Sequence, residues 1–205
     1  MNNFELKKEQ ERLARRISLL APPLSISTIG AAECIAQGKD IIASVVVCKY
    51  PSLEIIEKST YHLSDAYTYH PEFVGYREMP ALIEAFNKLE EDPDVVIVKG
   101  TGLNHPRHCG VGVYVGLALN KPTFAISDKN IFGEINEEEI IHQKEKVGFV
   151  YQTREHSHPL FVSPAHLIDE TSIRAILPTL LRFPHKMPEP LHLAHKFAKK
   201  KVKER

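Results

Sequence analysis

The chain has 205 residues, 43% of them hydrophobic, and its 26 basic and 26 acidic side chains cancel to a formal net charge of zero. That length is expected to form one large domain with a full core, and the neutrality excludes an overall electrostatic pull toward nucleic acid or membrane. No apolar run approaches the roughly 18 residues of a membrane span, the N-terminus is charged from its fifth residue unlike a signal peptide, and the three cysteines are widely spaced, so a soluble cytoplasmic protein without a membrane role is expected.

Phe4 to Leu20 carries apolar residues among charges at helical spacing and is predicted as a helix ended by Ala21-Pro22-Pro23. Three strand-like runs follow, Ser27 to Ala36, Ile41 to Cys48 and Leu53 to Leu63, separated by connections short enough for antiparallel hairpins. The middle run, IIASVVVC, is apolar on both faces and reads as a buried strand. An aromatic loop with Tyr67, Tyr69, Phe73 and Tyr76 comes next, either capping the sheet or presenting rings to nucleobases. A helix from about Arg77 to Glu90 then places Met79, Leu82, Ile83, Phe86 and Leu89 on one stripe.

Pro93-Asp94 opens the most informative stretch. Val95 to Val98 is β-branched throughout and ends at Gly100 and Gly102, the pattern of a buried strand. A polar loop with Asn104, His105, Arg107 and His108 leads to a small-residue helix from Gly110 to Leu119, then to a second parallel strand at Pro122 to Ile126. Strand, polar loop, helix is where α/β folds place chemistry. A dinucleotide fingerprint is poorly matched, because no third glycine follows the Gly-x-Gly. His105, His108 and Cys109 could ligate zinc only with a fourth donor from elsewhere, and the other reading is a solvated turn whose histidines only hydrogen-bond. The remainder predicts a strand pair, Val147 to Thr153 and Leu160 to Val162, and helices at Glu170 to Leu181 and Pro190 to Val202. The predicted fold is α/β: three antiparallel strands followed by parallel strands in a mixed sheet flanked by helices. The stretch Glu134 to Glu145 is acidic and the tail after His195, KFAKKKVKER, is basic; the tail suits an anionic partner or the C-terminal pole of a helix dipole.

Four motifs then appear in order. Tyr69-His70-Pro71-Glu72-Phe73-Val74-Gly75-Tyr76-Arg77-Glu78 resembles Y-x-P-G-x-x-x-[FY]-R-E of the endonuclease V family, which nicks nucleic acid beside inosine. Pro93 through Gly100, Gly102, His105-Pro106-Arg107 and Gly110 resembles its P-D-V-x-x-x-D-G-x-G-x-x-H-P-R-x-x-G segment. Ser163 to Asp169 resembles S-P-G-H-x-x-D, and Pro188 to His195 resembles P-E-P-x-R-x-A-H. The resemblance spans nearly the whole chain and implies a ribonuclease H-like fold, with Mg²⁺ or Mn²⁺ as cofactor if the protein is active and none otherwise.

The resemblance implies three metal-holding carboxylates, because a hard cation needs anionic oxygen ligands. Glu33 stands at the first-strand Asp, Glu78 keeps the Glu of R-E, and Lys99 stands at the third Asp. The family's catalytic Lys position holds Asp128, beside Lys129, so acid and base have exchanged places. One charge pair at 4 Å is worth about 4 kcal/mol at an effective dielectric near 20, so Lys99 should weaken divalent-cation binding severely. Either the Lys99 ammonium replaces the metal among Glu33, Glu78 and Asp128, or it points to solvent.

The resemblance makes Tyr69 and Pro71 part of a wedge beside a displaced base and the loop with Gly100, Gly102 and Gly110 part of a hypoxanthine pocket, while His105, Arg107 and the tail lysines could hold phosphates. Glu72 replaces a wedge glycine and should stiffen that loop; His192 replaces an arginine. Three readings follow: recognition of inosine in single- or double-stranded DNA or RNA with cleavage lost or weak; an active nuclease with a metal site rebuilt from Glu33, Glu78, Asp128 and His195; or a scaffold for a protein partner.

Overall fold

In the computed structural model residues 2–20 and 25–204 are described. Helix α1 spans Asn3–Ala14 and opens on a capping box in which Asn2 and Glu5 satisfy each other's backbone donors. It stops short of Leu20 because the following segment is drawn to a distant strand: Leu167 N–H donates to Ser18 O at 2.6 Å and Ser18 N–H to His166 Nδ1 at 3.4 Å. Tertiary hydrogen bonds override the helical periodicity of Ile17 to Leu20, and the terminator at Ala21-Pro22-Pro23 lies outside the described residues.

Strands β1 (Thr28–Gln37), β2 (Asp40–Lys49) and β3 (Ile55–Leu63) form the expected antiparallel meander, and β2 is buried from Ile41 to Cys48. A 3₁₀ turn at Pro71–Phe73 leads directly into α2, Val74–Phe86, which therefore starts before Arg77. Strand β4 (Val95–Lys99), α3 (Val111–Leu119) and β5 (Thr123–Ser127) complete the α/β unit. The acidic stretch contains an edge hairpin that its polarity concealed, β6 (Glu134–Asn136) and β7 (Glu139–His142). Strands β8 (Glu145–Tyr151) and β9 (Leu160–His166) pair antiparallel. Helix α4 (Glu170–Ile176) passes into a 3₁₀ turn at Leu177–Leu180, since Pro178 has no N–H to continue an α-helix. Helix α5, Glu189–Lys203, closes the chain.

All nine strands join one sheet in the order β3-β2-β1-β4-β5-β9-β8-β7-β6. Strand β4 lies parallel to both β1 and β5, and β9 runs antiparallel beside β5. Alternation gives the sheet two apolar faces. Ala32, Val96 and Val98 pack with Ala81, Leu82, Val111 and Val115 of α2 and α3. Ile29, Ala31, Ile97 and Ile126 pack with Ile173 of α4, Leu177 after it and Leu191 of α5. Among the described residues no helix is long and apolar enough to cross a membrane.

Candidate functional site

Register alone gathers three of the candidate residues. Ala32 is paired with Val98 and Lys99 with Ile126, so Glu33 and Lys99 occupy the next register position, and Asp128 lies two residues beyond Ile126 on the same face. All three belong to the α5 side, where the parallel strands end. Beyond Lys99 the chain must turn sharply: Gly100 has φ +140°, and a Cβ there would lie 2.4 Å from Val111 Cγ1.

The Lys99 ammonium donates to the Asp128 carboxylate, and Lys186 Nζ lies 3.7 Å from the other oxygen of that carboxylate. Met187 Sδ, 3.8 Å from Lys99 Nζ, covers the pair. Burial alone would raise the Asp128 carboxyl, but the Lys99 hydrogen bond and charge, with Lys186, outweigh it and hold the group below the usual carboxylate range. Glu33, 9% exposed, pairs with His195 Nδ1 at 2.9 Å instead.

Glu78 comes from α2, on the opposite helical layer. Burial pushes its carboxyl up to about 8, with Arg77 opposing and Glu33 adding to the shift. The buried Arg77 donates to Tyr67 O at 2.7 Å and Gly38 O at 2.6 Å, tying the aromatic loop to the β1–β2 turn. Together Tyr69, Glu78, Lys99, Gly100, Asp128 and Lys129 line a cavity of about 280 Å³. Tyr69 presents its ring at the mouth, 60% exposed.

The loop between Gly100 and Gly110 is built around a buried histidine. The Nε2 of His105 lies 3.0 Å from Glu72 O, while its Nδ1 accepts from the Arg107 and Cys109 N–H groups at 3.2 and 3.3 Å. Two N–H donors on Nδ1 require the neutral ring with its proton on Nε2, and burial accordingly lowers the His105 pKa to about 4. At 2% exposure His105 shapes the loop and does not reach solvent phosphate, contrary to the expectation from sequence. Gly102 N–H is held by Asn104 Oδ1 at 2.9 Å, and a Cβ at Gly102 would collide with Pro164 O at 2.3 Å. Gly110 caps α3 and donates to Gly102 O at 3.0 Å.

Pro71 opens the 3₁₀ turn whose central residue is Glu72. The Glu72 carboxylate accepts from Arg107 at 2.7 Å, and its backbone oxygen accepts from Gln10 Nε2 at 2.7 Å. Arg107 Nε donates to Gln10 Oε1 at 2.6 Å, so this arginine, also expected to bind phosphate, is engaged within the protein. Its side chain is 14% exposed and Glu72 is held below the usual carboxylate range, chiefly by the Arg107 hydrogen bond. Arg107→Ala would strand Gln10 and Glu72 in a partly buried setting, at a cost of about 2 kcal/mol. A fall in melting temperature of roughly 4–8 °C is the expected result; unchanged melting with weaker oligonucleotide binding would instead return Arg107 to the phosphate role.

His108 Nε2 lies 3.9 Å from Glu145, and Cys109 is buried with its thiol pushed up to about 12 by desolvation, so neither joins His105 in a ligand set. Among the described residues no three of His, Cys, Asp and Glu are grouped to hold a metal ion. Sequence reasoning missed Gln10, Lys186 and Met187. None carries a signal in its own neighbourhood; only folding brings them to the loop and the cavity.

A nine-stranded mixed sheet with helices on both faces, and a cavity bearing Glu78, Lys99 and Asp128 where its parallel strands end, define a mixed α/β protein. The family model for Endonuclease V matches residues 11–196, and the chain belongs to that family. It is similar to the Endonuclease V of Dictyoglomus turgidum, 31% identical over 205 residues, covering 96% of this chain and 89% of the relative. The crystal structure of Endonuclease V from Streptomyces avermitilis superposes with a TM-score of 0.91 at 21% identity, covering 99% of this chain and 94% of that one. Endonuclease V from Ciona intestinalis, solved in complex with a 24mer DNA containing an inosine followed by a ribo-adenosine, superposes with a TM-score of 0.87 at 19% identity, covering 98% and 97% of the two chains.

Proposed function

We propose that this protein recognises inosine-containing DNA or RNA and that the Lys99–Asp128–Lys186 ion cluster stands where relatives of the family hold a divalent cation, leaving metal-dependent cleavage lost or weak. The observation that carries this reading is the Lys99–Asp128 pair in the wall of the cavity beneath Tyr69. Mg²⁺ requires clustered anionic oxygens. Here Asp128 is committed to two ammonium groups and Glu33 to His195, and burial disfavours the charged form of Glu78, so the donor set does not fit the ion. These residues hold one another: Lys99 and Lys186 neutralise Asp128, and the His195 ring hydrogen-bonds with Glu33.

Tyr69 is free to stack in the gap left by a displaced base, a contact that recovers part of the few kcal/mol that unstacking costs. The deciding assay uses inosine-containing single strands with Mg²⁺ and then Mn²⁺, comparing the unaltered protein with the double variant Lys99→Asp, Asp128→Lys. Tight binding without nicking by the unaltered protein, and nicking by the double variant, is expected. Nicking by the unaltered protein would overturn the reading and favour ligands rebuilt from Glu33, Glu78, Asp128 and His195. Absence of salt-dependent oligonucleotide binding would favour a protein partner.

A further inference from the structure

Phe183 is 91% exposed, more than any other large hydrophobic side chain among the described residues. A single exposed ring is ordinary on a protein surface. This one belongs to a segment whose other side chains are tied down. The Arg182 guanidinium donates to Thr179 O at 3.1 Å, Leu181 O at 2.9 Å and Pro51 O at 3.1 Å. Arg154 Nη1 holds Pro184 O at 2.8 Å. His185 Nδ1 lies 2.6 Å from Glu189 Oε2, and its ring stacks on His192 with centroids 3.5 Å apart. Lys186 and Met187 then reach Asp128 and Lys99 in the cavity wall. The backbone around Phe183 is thus fixed at both ends while its ring is left in water, forgoing the burial that usually stabilises phenylalanine.

We propose that Phe183 stacks on a nucleobase of the bound strand, flanking the nucleotide engaged at Tyr69; the inference rests on the nucleic-acid reading above. Phe183 lies three positions before Lys186, and an extended chain spans at most about 3.6 Å per residue, so the two backbones are within roughly 11 Å, a span that a neighbouring nucleotide can bridge. Arg182, Arg154 and Lys186 are held by the protein, yet their positive charge still makes the surroundings of such a base favourable to the strand's phosphates. Backbone held in advance leaves only the ring's own side-chain torsions to be ordered on stacking. Because every base has a π-face, this contact supplies affinity without choosing inosine.

The chain contains no tryptophan, so Phe183→Trp and, separately, Tyr69→Trp each place a single indole reporter in the protein. Titration with inosine-containing single-stranded DNA, and with the matched adenosine strand, in the presence of EDTA should quench the Phe183→Trp fluorescence. Phe183→Ala should weaken binding of both strands about 5- to 100-fold with an unchanged melting temperature, and Phe183→Tyr should restore it. If the Tyr69→Trp reporter is quenched while Phe183→Trp is silent and Phe183→Ala binds normally, the inference about Phe183 fails and the nucleic-acid reading survives. A lowered melting temperature for Phe183→Ala would make the ring structural and also overturn it. If neither strand binds, both fall together.

Discussion

Lys99→Asp should lower the melting temperature in EDTA by roughly 6–12 °C and should regain much of the loss in millimolar Mg²⁺. The substitution removes the ammonium that neutralises Asp128 and installs a negative charge beside it, with Glu33 at the adjacent register position on β1. One pair at 4 Å is worth about 4 kcal/mol at an effective dielectric near 20. The Lys99 side chain is 21% exposed and Asp128 49%, so screening reduces the effect to on the order of 3 kcal/mol. At roughly 2–4 °C per kcal/mol for a chain of this size, the stated fall follows. A cation that binds only the folded variant restores about 2.7 kcal/mol at a hundred times its dissociation constant. The unaltered protein should show no comparable Mg²⁺-dependent rise, and Lys99→Met, which loses the pair without adding charge, should fall less and gain nothing from Mg²⁺. An equal Mg²⁺ response in the unaltered protein would show that Lys99 does not displace the ion.

Acid should loosen the protein through His105, by up to about 3 kcal/mol between pH 6.5 and pH 4. The pKa of His105 falls from an unfolded value near 6.5 to about 4, chiefly through burial. In that interval the unfolded chain binds the proton and the folded chain does not. The His105 contribution is therefore complete above pH 6.5 and is lost as pH falls through this window. Geometry gives the same sign, because protonating Nδ1 would set its new N–H against the Arg107 and Cys109 N–H groups. In urea unfolding across this range, His105→Gln should be less stable than the unaltered protein at pH 7.5 and should approach it at pH 4. His166 and His192 are also lowered by burial, so the difference between the two proteins is the quantity to follow. Parallel pH profiles would mean that the ring titrates freely.

The strands and the central α/β unit were legible because their signals are local. Val95 to Val98 is apolar and bounded by proline and glycine, and IIASVVVC leaves no solvated face. The small β6–β7 hairpin was hidden because exposed edge strands carry no alternation of buried and polar residues, and β6 is exposed throughout. The extent of α1 was misread for another reason: Ile17 to Leu20 keeps helical spacing, but Ser18 is claimed by Leu167 and His166.

The sequence by itself determined the mixed α/β order and the family motifs. Tertiary structure alone decided that Lys99 and Asp128, 29 positions apart, meet, and that Lys186 arrives to share Asp128. It alone buried His105, engaged Arg107 with Glu72 and Gln10, and left Phe183 bare three positions before Lys186. The reason is physical: hydrophobic periodicity reports which face of an element is buried, whereas the partner of a polar side chain depends on strand register and on which distant segment packs against it.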